Sequence, residues 1–365
     1  MQVETTPSPL VATRHAIETG LCVSRRGRNP LDGELVLTAP EGWRIAPDRF
    51  SIEDARLHAP FASAAKLTAP DKAGPGVYRV HAALHTAFSD YTHTLPAMLL
   101  GDGSGVEVRE KGDLIEVANG RMRLRVAPAF YGSVISIETD DAEHLVSPYP
   151  EAGNFGWMRP WHGGVHPFIH WNPGELHKES FLWEEAACQG TQGVAWRGVK
   201  VLCEPKHKEL RGLRIEVAYL TAGGSNVVAV VSRYVNRTSA PRDFHAGIVA
   251  FAQPGGSRED LEGVVERHGV VHHKKHTLQS RDLRGDNWIA IHNSRSDDAA
   301  VLVSTAHRKE VFVDDSGIAG MHLSAAHNVR IEPEEANEAV CYFVLTKGIE
   351  QARAYAVLSR LDKLP

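Results

Sequence analysis

The chain has 365 residues, 42% of them hydrophobic and 23% charged, with 40 basic against 45 acidic side chains and a formal net charge of −5. That length exceeds what one ordinary core supports and predicts about two domains, while the balanced charge supplies no field to gather phosphates or an anionic membrane, arguing against nucleic acid and membranes as partners. Four dispersed cysteines, Cys22, Cys188, Cys203 and Cys341, make no pair with metal-ligand spacing and read as free thiols in the core. The first residues lack the basic start and apolar run of a signal peptide, which favours the cytoplasm, and no apolar run reaches the ~18 residues that a bilayer span needs.

Short alternating segments separated by Gly, Pro, Asn and Asp run along the chain, the pattern of strands and turns. Glu34–Thr38 alternates, Ala39-Pro40-Glu41-Gly42-Trp43 breaks the pattern, and Gly76–Ala82 resumes it, which predicts a compact sandwich. Pro40-Glu41-Gly42-Trp43 followed by Gly76-Val77-Tyr78-Arg79-Val80 resembles the Ig-like modules attached to bacterial glycosidases, over residues 8–100. Trp43 reads there as a core plug rather than a sugar platform. Gly101-Asp102-Gly103-Ser104-Gly105 is the expected linker, since glycines favour turns and flexibility over packing.

Beyond it the strands lengthen. Leu114–Ala118 meets Asn119-Gly120, a hairpin turn whose residues tolerate positive φ, and Arg121–Val126 returns. Ser133–Ile137, Arg214–Leu220, Val227–Val235, Trp288–His292, Ala300–Ser304 and Val340–Leu345 follow. So many long strands require two large sheets packed face to face. Only Ile349–Leu358 carries helical periodicity, so a short helix is expected within 349–365.

The second segment, residues 105–350, resembles the galactose-mutarotase superfamily, whose large antiparallel supersandwich also occurs in aldose epimerases, glycosidases and polysaccharide lyases. The phrases that carry the resemblance are the hairpin Leu114–Val126 with Gly132–Ile137, then Trp161-His162-Gly163-Gly164, then Tyr234–Pro241 leading into Phe244-His245-Ala246-Gly247, and finally Ile331–Glu335 before Val340–Phe343. The resemblance implies an all-β fold, an N-terminal Ig-like sandwich followed by the supersandwich, and a sugar as ligand. It places His162 and His245 at the family's two histidine positions, His245 at that of the acid. The glutamate that serves as base lies in an "E-P-Q" phrase that this chain lacks; Glu310, Asp314 and Asp315 fall in the corresponding stretch, and Glu310 is taken as the candidate.

Mutarotation opens and recloses a hemiacetal, so it needs one group to protonate the ring oxygen and another to take the hydroxyl proton, roles that suit histidine and carboxylate. Around His162 runs Arg159-Pro160-Trp161-His162-Gly163-Gly164-Val165-His166-Pro167-Phe168-Ile169-His170-Trp171, with Trp183 and Glu184 further on. Aromatic rings stack on pyranose faces while Arg, His and Glu bond the hydroxyls, so Arg159, Trp161, His166, His170, Trp171, Trp183 and Glu184 are candidate sugar contacts. The competing reading is a loop packed by its own tryptophans. The histidine spacing of four would place His162, His166 and His170 on one side of an extended segment, yet no carboxylate stands at metal-ligand spacing, and no metal is expected.

His272-His273-Lys274-Lys275-His276 reads as a solvated basic patch. With no P-loop, nucleophile elbow or dinucleotide fingerprint, no cofactor is expected. The sequence therefore predicts a carbohydrate-binding or carbohydrate-active protein. An aldose epimerase-like isomerase, a polysaccharide lyase or glycosidase, and a non-catalytic module of a larger assembly stand as alternatives, and a homo-oligomer or a partner catalytic domain is compatible with each.

Overall fold

The computed structural model describes residues 2–361 other than 7, 13–15, 26–28, 141, 157, 170–175, 177, 278, 280, 307–308 and 318–319. The protein is all-β with a short C-terminal helix. The chain divides into two compact units, one of Met1–Gly103 with Thr191–Val194 and Arg360–Asp362, the other of Ser104–Gly190, Ala195–Ser359 and Lys363–Pro365.

The first unit contains β1 (Gln2–Thr6), β2 (Leu10–Ala12), β3 (Ala16–Ser24), β4 (Leu31–Thr38), β5 (Arg44–Ala46), β6 (Arg49–Ala55), β7 (Phe61–Thr68), β8 (Gly76–His85) and β9 (Asp90–Leu99). They form one sheet of order β1-β3-β7-β5 and another of order β2-β9-β8-β4-β6. Alternation along β3 and β8 turns Leu21, Val23, Val80 and Leu84 into a shared core with Leu35, Ile52 and Leu67. Trp43 is buried in that core, its ring 4.6 Å from Tyr78.

The second unit contains β10 (Glu107–Lys111), β11 (Leu114–Ala118), β12 (Arg123–Ala127), β13 (Ser133–Glu138), β14 (Gly153–Phe155), β15 (Met158–Trp161), β16 (Val165–Ile169), β17 (Leu182–Gln189), β18 (Ala195–Cys203), β19 (Leu213–Thr221) and β20 (Val227–Asn236). It continues with β21 (Arg242–Ala250), β22 (Leu261–Arg267), β23 (Val270–Lys275), β24 (Arg281–Gly285), β25 (Trp288–Asn293), β26 (Asp298–Ser304), β27 (Lys309–Asp315), β28 (Met321–Ile331) and β29 (Ala336–Lys347). Two nine-stranded sheets result, β10-β11-β12-β13-β16-β21-β28-β27-β24 and β17-β18-β19-β20-β29-β26-β25-β22-β23, and β14 pairs only with β15. This is the large antiparallel two-sheet architecture expected of the segment. The inward residues, among them Val117, Leu124, Val199, Val217, Ile248, Ile289, Val313, Leu323 and Phe343, form one continuous core. Burial of that apolar surface, at about 25 cal/mol per Å², is the main force holding the sheets together.

Three local details differ from expectation. At the Asn119-Gly120 turn only Gly120 takes a positive φ, because Asn119 works through its side chain. The Asn119 amide donates to Thr221 Oγ1, Ala222 O and Ser225 O, and its oxygen accepts from the backbone of Arg121 and Met122. The α-helix α1 (Ile349–Ala354) is shorter than its periodicity implied and tightens into a 3-10 turn at Tyr355–Arg360. There the buried Tyr355 hydroxyl donates to the Asn226 side-chain oxygen, holding the segment against the sandwich.

The basic run at 272–276 is also more than a solvated patch. Asp315, wholly buried at the end of β27, accepts from Lys274 Nζ at 2.9 Å, pairs with His276 Nδ1 at 2.8 Å, and accepts from the backbone N–H groups of Thr277 and Gly317. β27 lies in one sheet and β23 in the other, so this carboxylate clamps the edges of both. A buried charge deprived of partners is costly, so Asp315→Ala should lower unfolding stability by about 3–5 kcal/mol in urea titration. A loss under ~1 kcal/mol would show that the clamp holds nothing.

Candidate functional site

Along β21 the side chains of Phe244, Ala246, Ile248 and Ala250 join the core between the sheets, so His245, Gly247 and Val249 face outward. Register extends this outer face across neighbouring strands. His166 of β16 stands beside Val249, Val249 beside Ser324 of β28, Ser324 beside Phe312 of β27, and Phe312 beside Arg284 of β24. Two positions along is a second row on the same face, in which His322 lies beside Asp314 and Asp314 beside Asp282. Phe251, just past β21, lies 5.1 Å from the His322 ring and 6.1 Å from that of His166, stacked with both.

The Trp161–Gly164 stretch delivers one more histidine. Gly163 and Gly164 both have positive φ, and a Cβ on them would meet Val146 O at 2.3 Å and Val134 O at 2.1 Å, so only glycine allows this turn into β16. The turn sets His162 against Tyr131, ring on ring at 4.8 Å and 17°, with Phe130 edge-on at 4.7 Å. Tyr131 itself has φ 65°, an unfavourable backbone for an aromatic residue, and its ring also meets His166 at 4.9 Å. The His162 and His166 rings are 6.3 Å apart. Tyr131 and Phe251 thus bracket a line of three imidazoles that ends on two carboxyls.

The structure distributes the candidate residues unevenly. His162 and His166 are brought together and are almost fully buried. Trp161 is also buried, packed with Phe155, Met158, Phe168 and Phe251 beneath the β14–β15 hairpin, and Arg159 stands exposed on that hairpin. His245 shares the outer face and lies 6.3 Å from Phe168, but four residues of strand, about 13 Å, separate its row from that of His166. Glu310 is on the same face, exposed, 3.8 Å from an exposed Arg284. His170 and Trp171 lie outside the described residues. The expected cleft wall from Trp183 and Glu184 is not assembled: both sit on β17 at the edge of the other sheet, Trp183 against the core and Glu184 paired with Lys200.

Tyr131, Phe251, His322 and Asp282 were not singled out from the sequence. The signal available for His322 was the alternation of β28, where His322 and Ser324 interleave with Leu323 and Ala325 of the core. Among the described residues no group of three or more His, Cys, Asp or Glu is arranged to hold a metal ion.

No protein-family model matches the chain, and no curated protein matches it. Among solved structures it is similar to a galactose mutarotase-like protein from Clostridium acetobutylicum, 10% identical over 67% of this chain and 98% of that one, with a TM-score of 0.48. It is similar also to a galactose mutarotase-like protein from Lactobacillus casei, 9% identical over 66% and 100% of the two chains, TM-score 0.43. A TPR-domain containing protein from Parabacteroides distasonis aligns with 92% of this chain and 56% of its own, at 10% identity and a TM-score of 0.47.

Burial decides the protonation of His166 and His322. Desolvation pushes His166 down to about 3, aided by His162 and His322 and opposed by its hydrogen bond to Pro167 O. Desolvation likewise pushes His322 down to about 3, against the pull of Asp282. With a neutral imidazole, the 3.6 Å approach of His322 Nε2 to Asp314 Oδ2 is neither an ion pair nor a hydrogen bond. A histidine kept neutral in the fold but free to protonate once unfolded gives the unfolded state the extra proton, so the fold loses stability as pH drops below 6.5. Between there and the ordinary Glu value of 4.5 the carboxylates contribute little. In that window the unfolding free energy should fall by up to about 1.4 kcal/mol per pH unit for each histidine, and His322→Gln should reduce the slope measured in urea. A slope unchanged by the substitution would place the titration elsewhere.

Proposed function

We propose that this chain binds a carbohydrate on the outer face of the sheet that carries β16, β21, β28, β27 and β24, and that the same face is equipped to move protons on it. One observation carries the reading: three imidazoles, His162, His166 and His322, line up with Tyr131 and Phe251 and end on the carboxyls of Asp314 and Asp282. Neutral imidazoles donate at one nitrogen and accept at the other, which suits hydroxyl groups. Aromatic rings supply apolar faces for pyranose C–H groups, and a histidine near a carboxyl is the pairing that acid–base chemistry at a hemiacetal requires. A sugar would meet the face from its exposed edge, where Asp282, Arg284 and Glu310 stand.

A second reading is favoured by the burial of Trp161, Phe155 and Phe251 over these histidines, which is what a non-catalytic module filled by its own side chains would show. Calorimetry with a panel of mono- and oligosaccharides decides between binding and a filled module. Saturable binding, weakened about 10-fold or more by His166→Ala, supports a sugar site; heats without saturation at millimolar sugar support the module. Polarimetry then separates catalysis from binding: equal mutarotation rates with and without protein would leave a binding protein only.

A further inference from the structure

Three outward groups in one row, Asp282, Asp314 and His322, lie on adjacent antiparallel strands in direct register. Directly opposed residues in such a ladder have Cβ atoms about 4.5–5.5 Å apart, which brings the two carboxyls within reach of each other. Asp314 Oδ1 accepts from Ser316 Oγ, and its Oδ2 faces His322. His322 is 1% exposed and its Nδ1 has no hydrogen-bond partner; one step along the same face, the Oγ of the fully buried Ser324 has none either. Polar atoms left unsatisfied in a dry setting cost about 1–3 kcal/mol each, so they mark places where an external hydrogen-bonding group belongs.

We propose that Asp282 and Asp314 form a carboxyl pair sharing one proton, and that this pair with His322 is where a hydroxyl-bearing ligand is held. The inference rests on the sugar reading for the ligand but not for the pair. Two carboxylates this close cannot both ionise freely. The fixed charges around them do not cancel the repulsion, because Arg284 is exposed and faces Glu310, and Lys274 is committed to the buried Asp315. In agreement, the Asp282 carboxyl is raised above its ordinary range, by burial first and by Asp314 second, with Arg284, His322 and Lys274 pulling the other way. A singly protonated pair offers a donor as well as acceptors, so it can both donate to and accept from ligand hydroxyls, which two carboxylates cannot do.

Carbon-13 NMR of the full chain, labelled at aspartate carboxyls and assigned with Asp282→Asn and Asp314→Asn, tests the pair without any sugar. We expect the two resonances to titrate together in two separated steps, the upper one above the ordinary aspartate value of about 3.9, and Asp282→Asn to leave Asp314 with a single step. Independent single titrations, each unchanged by loss of the other carboxyl, would overturn the pair. Calorimetry with the best-bound sugar of the panel tests the site. Asp314→Ala and Asp282→Ala should each weaken binding at least 10-fold. Wild-type affinity in Asp314→Ala, with circular dichroism confirming the fold, would remove this row from the site and leave sugar binding intact. Absence of binding by the wild-type chain would overturn the sugar reading and the ligand assignment, with the NMR titration still deciding the pair.

Discussion

The alternation of side chains along β21, β28 and β27 is the constraint on which the candidate site depends. Each strand must give every second residue to the core between the sheets, and Ile248, Ala250, Leu323, Ala325, Val311 and Val313 do so. The intervening residues are thereby committed to the other surface, where Val249, Ser324, His322, Phe312 and Asp314 stand in rows set by backbone hydrogen bonds. A side chain on this face needs no special device to find its neighbour. Only the stretch outside the ladder, from Trp161 to Gly164, required two residues without a Cβ to bring its histidine in.

The surface is unusual in being polar by residue type and dry by packing. The β14–β15 hairpin lays Phe155, Met158 and Trp161 over Phe251, and this removes water from His166 and His322. Desolvation then outweighs the hydrogen bond of His166 to Pro167 O and the attraction of Asp282 for His322, and both rings stay neutral. The carboxyls carry the charge of the site, and they stand at its wetter end, where Asp282 is exposed. Burial therefore falls along one direction, from the aromatic cap over His166 and His322 to β24, where Asp282 is exposed.

The strands and the two-sheet architecture were legible because period-two patterning is a local property: Leu114–Ala118 coincides with β11, and the segments at 133, 227 and 288 begin where their strands begin. His162 and His166 were legible because they sit in a distinctive aromatic and glycine-rich stretch. His322, Asp282 and Phe251 were not, since what gathers them is pairing between β24, β27, β28 and β21, and a single chain does not display register. Trp183 and Glu184 misled for the same reason. Their composition suits a sugar, but they lie on β17, which among the described residues belongs to the other sheet. The run at 272–276 looked solvated because its partner, Asp315, is some forty positions away, with Lys274 and Asp315 separated by 41 residues.

Asp314 and Asp315 are consecutive, and the pleat sends them opposite ways: one toward Asp282 and His322, the other into the clamp of Lys274 and His276. A strand that puts its mooring and the outward Asp314 on successive residues leaves no slack between them. The moored carboxylate fixes the height of its neighbour to within the stiffness of one peptide plane. A slip of one place would trade the two, leaving an acid stranded among cations on one side and a useless anion on the other. A single residue added at this spot would therefore undo the clamp and the row of Asp282, Asp314 and His322 together.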